Sequence, residues 1–93
     1  MIHTRLATLA DLEKVAPLFD AYRQFYEQAP DLDKARKFIS DRLHRHESDI
    51  LLAINPQGDV VGFCQLYPTF CSVEAAPIYA LYDLFVLPQA RRT

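Results

Sequence analysis

Ile78-Tyr79-Ala80-Leu81-Tyr82-Asp83-Leu84-Phe85-Val86-Leu87-Pro88-Gln89-Ala90-Arg91-Arg92-Thr93 closes the sequence, and the rest of the chain is best read backwards from it. Ile78 to Leu87 is a long apolar and aromatic run with the character of a strand, Pro88 ends it, and a basic turn follows. A strand running into such a turn is the usual approach to a phosphate-binding loop. That loop needs several glycines, because only glycine combines close backbone approach with positive φ at low cost. The sequence holds two, Gly58 and Gly62, and both lie upstream. The expectation is an anion site whose approach is present in these 93 residues and whose main cradle is not.

Moving outward, Val60 to Tyr67 reads as the preceding strand, and Pro68 to Pro77 as an irregular connection. Asn55-Pro56-Gln57-Gly58-Asp59 is a turn, with proline early and glycine late supplying the restricted and the positive φ that a hairpin loop uses. Before it, Ile50 to Ile54 is a dense apolar run that predicts a strand covered on both faces. Leu32, Ala35, Phe38, Ile39 and Leu43 recur at helical spacing behind Asp31, a capping residue, and predict a helix from Leu32 to His44.

Upstream of the Ala29-Pro30 break, Leu12, Val15, Phe19, Tyr22 and Tyr26 form an apolar stripe widened by Leu18 and Phe25. Thr8 followed three residues later by Asp11 fits a capping box, so this helix should run from Leu9 to about Gln28. Pro17 should kink it near Ala16, at a cost of about 3 kcal/mol if nothing relieves the lost bond. Ile2 to Ala7 alternates apolar and polar residues and predicts a first strand with one buried face. The order is β-α-α-β-β-β, an α+β class, with residues 1–93 forming one small domain or part of one.

Composition narrows the function. Apolar residues make up 51% and charged residues 24% of the chain, enough for a packed core and against general disorder. A net charge of −2 provides no broad basic face for a phosphate backbone, so nucleic acid is not expected as a partner. No basic flank precedes a long hydrophobic segment, so the expectation is no membrane partner and a cytoplasmic location. Cys64 and Cys71 then read as free, small buried hydrophobes. His44 and His46 stand two apart on a helix, do not face each other, and lack further ligands, so no metal is expected.

The element order, the paired helices after the first strand, the strand Val61-Gly62-Phe63 and the ending Leu84-Phe85-Val86-Leu87-Pro88-Gln89-Ala90-Arg91-Arg92-Thr93 together resemble the N-terminal half of a GNAT-type N-acetyltransferase. In that family a strand ending in hydrophobic, aromatic and Val residues leads to RxxGxG or RxxGxA, and Arg91-Arg92-Thr93 matches its first three positions. Gly62-Phe63-Cys64-Gln65-Leu66-Tyr67 and Leu81-Tyr82-Asp83-Leu84-Phe85-Val86 are most similar to the diamine and polyamine acetyltransferase branch, which carries an acid where this chain has Tyr82. The resemblance implies a three-layer α/β fold with a mixed, mostly antiparallel sheet. It also implies acetyl-CoA as co-substrate, a small-molecule amine as acceptor, and transfer by direct attack in a ternary complex.

On that reading Leu84, Phe85 and Val86 offer strand amides and carbonyls to pantetheine, itself an amide chain, while Arg91, Arg92 and Thr93 begin the grip on the phosphates. A solvated basic turn after a buried strand is the plainer reading of the same residues. Asp83 is the candidate base that frees the amine, and its other reading is an acid paired with an arginine or turned away from the sheet. Strand alternation sends Tyr82 and Asp83 to opposite faces unless a bulge intervenes. Tyr22, Phe25, Tyr26 and Tyr82 are candidate acceptor-binding residues, although Tyr22 and Tyr26 also fit a core role on the apolar stripe. The family's general acid lies in its C-terminal half, so the isolated chain is expected to be inactive. The other classes are a non-catalytic acyl-CoA-binding module and a chain-association module, for instance a homodimer formed through an open sheet edge.

Overall fold

The computed structural model describes residues 2–91. Four strands and two helices follow in the order β1 (His3–Leu6), α1 (Leu12–Phe25), α2 (Leu32–His44), β2 (Asp49–Ile54), β3 (Val60–Cys71) and β4 (Ala76–Val86). The strands lie side by side in sequence order, and all three pairings are antiparallel. Among the described residues the fold therefore has two layers, with no parallel pair in the sheet. No helix among them is long and apolar enough to cross a membrane.

Both helices cover one face of the sheet. Val15, Leu18 and Phe19 of α1 and Ala35 and Ile39 of α2 meet Ile50, Leu52 and Ile54 of β2, Phe63 of β3 and Phe85 of β4 in one buried cluster. Leu52 pairs with Phe63 and Phe63 with Phe85, so the sheet presents a continuous apolar row to the helices. Phe19 stacks on Phe38 with ring centroids 5.2 Å apart, locking α1 to α2.

The α1–α2 connection is fixed by the buried Asp20. Its carboxylate accepts from the Asp31 amide, the Arg23 guanidinium and the Gln24 side chain. Asp31 then caps α2 by accepting from the Lys34 amide at 3.1 Å. Helix α2 occupies the span that its apolar spacing predicts.

Several expectations are corrected. The first helix opens with a 3₁₀ turn over Leu9–Asp11 before α1 proper begins at Leu12. The capping box itself forms at Thr8, with the Asp11 carboxylate reaching back to accept from the Thr8 amide at 2.8 Å. Helix α1 continues through Pro17, which is exposed like Glu13, so water can serve the carbonyl that proline leaves without a partner. Strand β1 has no buried face, because it is the edge strand and lies outside the cover of the helices. Strand β2 is buried through alternate residues only, Ile50, Leu52 and Ile54, because helices cover just one side of it.

The stretch from Pro68 to Pro77 is mostly ladder. Strands β3 and β4 stay paired out to Cys71 and Ala76, and Ser72–Ala75 makes the turn, with Ala75 at φ 51°. Pro68 is tolerated because β2 pairs with β3 only up to Leu66, leaving that end of β3 free on the side its missing N–H would have used. Within the hairpin, Gly62 serves close approach, since a Cβ there would lie 2.9 Å from the Phe85 carbonyl oxygen.

Arg5 of β1 donates to both carboxylate oxygens of the buried Asp11, at 2.8 and 2.7 Å, and so ties the edge strand to the helix start. These bonds hold the Asp11 carboxyl down at about 2, below its ordinary 3.8. The folded protein thus takes up that proton less readily than the unfolded chain, so the stabilisation is complete above the unfolded value and is lost as pH falls toward 2. Urea unfolding between roughly pH 5 and pH 2 should show this loss, and Asp11→Asn should flatten it across the same window. An identical pH dependence in the variant would contradict the assignment.

Candidate active site

The site forms where the β3–β4 ladder breaks step. Gln65 pairs with Asp83, but the next residue of β3, Leu66, pairs with Leu81, leaving Tyr82 as an extra residue on β4. This is a β-bulge, and it answers the question that strand alternation left open. Asp83 faces the helices, where the α1 residue Tyr22 reaches it. Tyr82 sets its ring edge-to-face against Tyr67, with centroids 5.4 Å apart. Tyr67 follows Gln65 by two positions on β3 and so shares its face. Tyr82 and Asp83 are therefore presented together.

Asp83 is half-buried, and its two oxygens have different donors. The Tyr22 hydroxyl donates to Oδ1 at 2.8 Å, and the Gln65 Nε2 amide donates to Oδ2 at 2.9 Å. Gln65 is fully buried, and its Oε1 accepts from the Ser48 hydroxyl at 2.7 Å. The result is a directed chain, Ser48 to Gln65 to Asp83, joined from the helix side by Tyr22. Both donors to Asp83 are neutral side chains, in contrast to the arginine-paired reading.

Tyr22 takes the core role through its ring and meets Asp83 through its hydroxyl. Its ring packs edge-on to Phe63 and Phe85, at 5.6 and 6.1 Å, while its hydroxyl reaches out of the core. Burial first, and the Asp83 carboxylate second, push its phenol up to about 12. Tyr26 lies 5.2 Å from Tyr22 and is exposed, as is Phe25. Burial, with Asp83 nearby, also raises Tyr67.

The proposed co-substrate residues separate by backbone direction. Leu87 donates its amide to the Val61 carbonyl, so by antiparallel alternation Phe85 bonds inward to β3 while Leu84 and Val86 turn their N–H and C=O to the open edge. The Phe85 side chain belongs to the core, whereas Leu84 is exposed on the sheet face that the helices leave uncovered. Arg91 folds back over the rings of Phe25 and Phe85 and donates through Nε to the Val86 carbonyl at 2.8 Å. Arg92 and Thr93 lie outside the described residues. Cys64 and Cys71 are free thiols, and no group of three or more metal-ligating side chains lies together among the described residues.

Gln65 and Ser48 were not singled out from the sequence. Gln65 had a signal, as the one amide in the apolar run Gly62–Tyr67. Ser48 had none, because its role arises only from pairing across the sheet.

No protein-family model matches the chain. It is 51% identical over 90 residues to the uncharacterized N-acetyltransferase YhfO of Bacillus subtilis (strain 168), across 97% of this chain and 60% of that protein. Its fold matches a crystal structure of a probable acetyltransferase with a TM-score of 0.90 and 42% identity, covering 97% of this chain and 60% of that one. A fold match with a TM-score of 0.76 at 9% identity, covering 100% of this chain and 64% of the other, is to a predicted acetyltransferase of Clostridium acetobutylicum crystallised with acetyl-CoA. In sequence and fold the chain is thus related to the GNAT-type acetyltransferases, and it spans about 60% of the length of these relatives.

The geometry at Tyr22 gives a direct test. Alkaline absorbance titration should find one tyrosine near pH 12, absent in Tyr22→Phe. Asp83→Asn should move that midpoint down toward 10 without reaching it, because burial is the larger cause. An unchanged midpoint in Asp83→Asn would show that the hydroxyl does not meet the carboxylate.

Proposed function

We propose that the chain forms the acceptor side and part of the acetyl-CoA side of an N-acetyltransferase that acetylates the primary amine of a small molecule. The observation that carries this reading is the placement of an oriented carboxylate, Asp83, directly beside the open backbone of Leu84. An amine bound at the carboxylate is then next to a thioester laid along the strand edge.

In the proposed step Asp83, directly or through water, takes one proton from the ammonium form. The freed nitrogen lone pair attacks the thioester carbonyl carbon. As the C–N bond forms the C–S bond breaks, the nitrogen loses its second proton, and the leaving thiolate takes up one proton to become free CoA. In this reading Leu84 and Val86 support pantetheine through edge amides, and Arg91, Arg92 and Thr93 are proposed to begin the grip on the phosphates. Proximity of the two reactants does much of the work, since both are held against one rigid hairpin. The resemblance puts the general acid for the thiolate in the family's C-terminal half, so the 93 residues are proposed to be inactive by themselves.

The test is thiol release from acetyl-CoA by the native protein across a panel of small primary amines. Asp83→Asn should lower kcat by about 10²- to 10⁴-fold, with the fold kept by the isosteric amide. Full activity in Asp83→Asn would remove Asp83 from the reaction, and no turnover with any amine of the panel would count against the enzyme.

A further inference from the structure

Two edge-to-face tyrosine pairs flank the Asp83 carboxylate. Tyr22 and Tyr26 stand on the α1 side, with centroids 5.2 Å apart and planes at 70°, and Tyr67 and Tyr82 on the hairpin side, at 5.4 Å and 76°. The bulge is what places the second pair there, by adding Tyr82 to the face that Asp83 occupies. Tyr26 and Tyr82 are 60% and 70% exposed, so their ring faces are open to a visitor.

The charge at the centre has no counterion among the described residues. Their ion pairs join Arg5 with Asp11, Arg23 with Asp20, Arg36 with Glu13 and Asp33, Lys37 with Asp41, and Arg42 with Glu47; Arg42 is near enough to act on the Tyr67 phenol but lies over Phe38 and does not pair with Asp83. Arg91 sits over Phe25 and Phe85. Aromatic ring faces are electron-rich and poorly hydrated, so together with a carboxylate they favour a cation that loses its water easily. An alkylammonium ion does so, and a small inorganic cation does not.

We infer that the four tyrosines and Asp83 form a recess that selects its acceptor as an organic ammonium ion without a carboxylate beside the nitrogen. The ring faces of Tyr26, Tyr67 and Tyr82 take the carbon-bound hydrogens around the charged nitrogen, and Asp83 takes the charge. A carboxylate adjacent to the amine would be carried into Asp83 and repelled, so free α-amino acids are excluded. This inference rests on reading the Asp83 cleft as the acceptor site and adds to it the chemical class that the cleft admits.

Choline and 3,3-dimethylbutan-1-ol provide the test, being nearly the same shape and differing in the central charge. Neither is a primary amine, so binding is read without turnover. In calorimetric titration of the native protein without acetyl-CoA, choline should bind at least about tenfold more tightly than the alcohol. Tyr82→Ala and Asp83→Asn should each weaken choline roughly three- to tenfold and leave the alcohol unchanged, with circular dichroism confirming an intact fold. Equal binding of the two probes, or binding of neither, overturns the inference. If that happens while the native protein still acetylates small amines, the transfer reading stands and the ammonium selection falls. Retained choline selectivity in a protein that never consumes acetyl-CoA upholds the recess and overturns the transfer reading.

Discussion

The structure depends on one buried amide that is satisfied at both ends. Gln65 is fully enclosed, accepts from Ser48 in the loop before β2 and donates to Asp83 on β4, so its two bonds tie β3 to both neighbours. Leaving either end of such an amide unpaired in the interior costs about 1–3 kcal/mol. A one-residue slip of β4 along β3 would break the bond to Asp83 and turn every side chain of β4 to the other face. The amide therefore holds the register, and the register holds the bulge at Tyr82.

From that constraint the site follows. The bulge sets Tyr82 and Asp83 on the helix face, Tyr22 comes down from α1 to meet the carboxylate, and the strand beyond leaves Leu84 and Val86 with backbone groups at the open edge. Core and site are continuous, since the ring of Tyr22 packs on Phe63 and Phe85 while its hydroxyl orients the acid. A side chain anchored in this way holds the carboxylate with little freedom left to lose.

Much of the scaffold was legible because it rests on local rules. The spacing of Leu32, Ala35, Ile39 and Leu43 behind the Asp31 cap locates α2, and Asn55 to Asp59 is a turn by its own chemistry, with Gly58 at φ 86° and the Asn55 side chain accepting from the Gln57 and Asp59 amides. Asp83 stood out as an acid in an apolar strand, and Tyr22 and Tyr26 as rings at a helix end. What stayed hidden is set by pairing between distant segments. Prolines at 68 and 77 argued for a loop, yet the ladder tolerates them where β3 has lost its β2 neighbour and where β4 is an edge. The bulge, the Gln65 relay and the contribution of Ser48 exist only once β2, β3 and β4 lie in register.

Gln65 fixes Asp83 through a direct hydrogen bond. Side-chain amide NMR of Gln65 tests it most directly. A Gln65 Nε2 proton should exchange far more slowly than that of an exposed glutamine, and Asp83→Asn or Asp83→Ala should shift its resonance. Exchange at the rate of a solvent-exposed amide, with no response to either substitution, would contradict it.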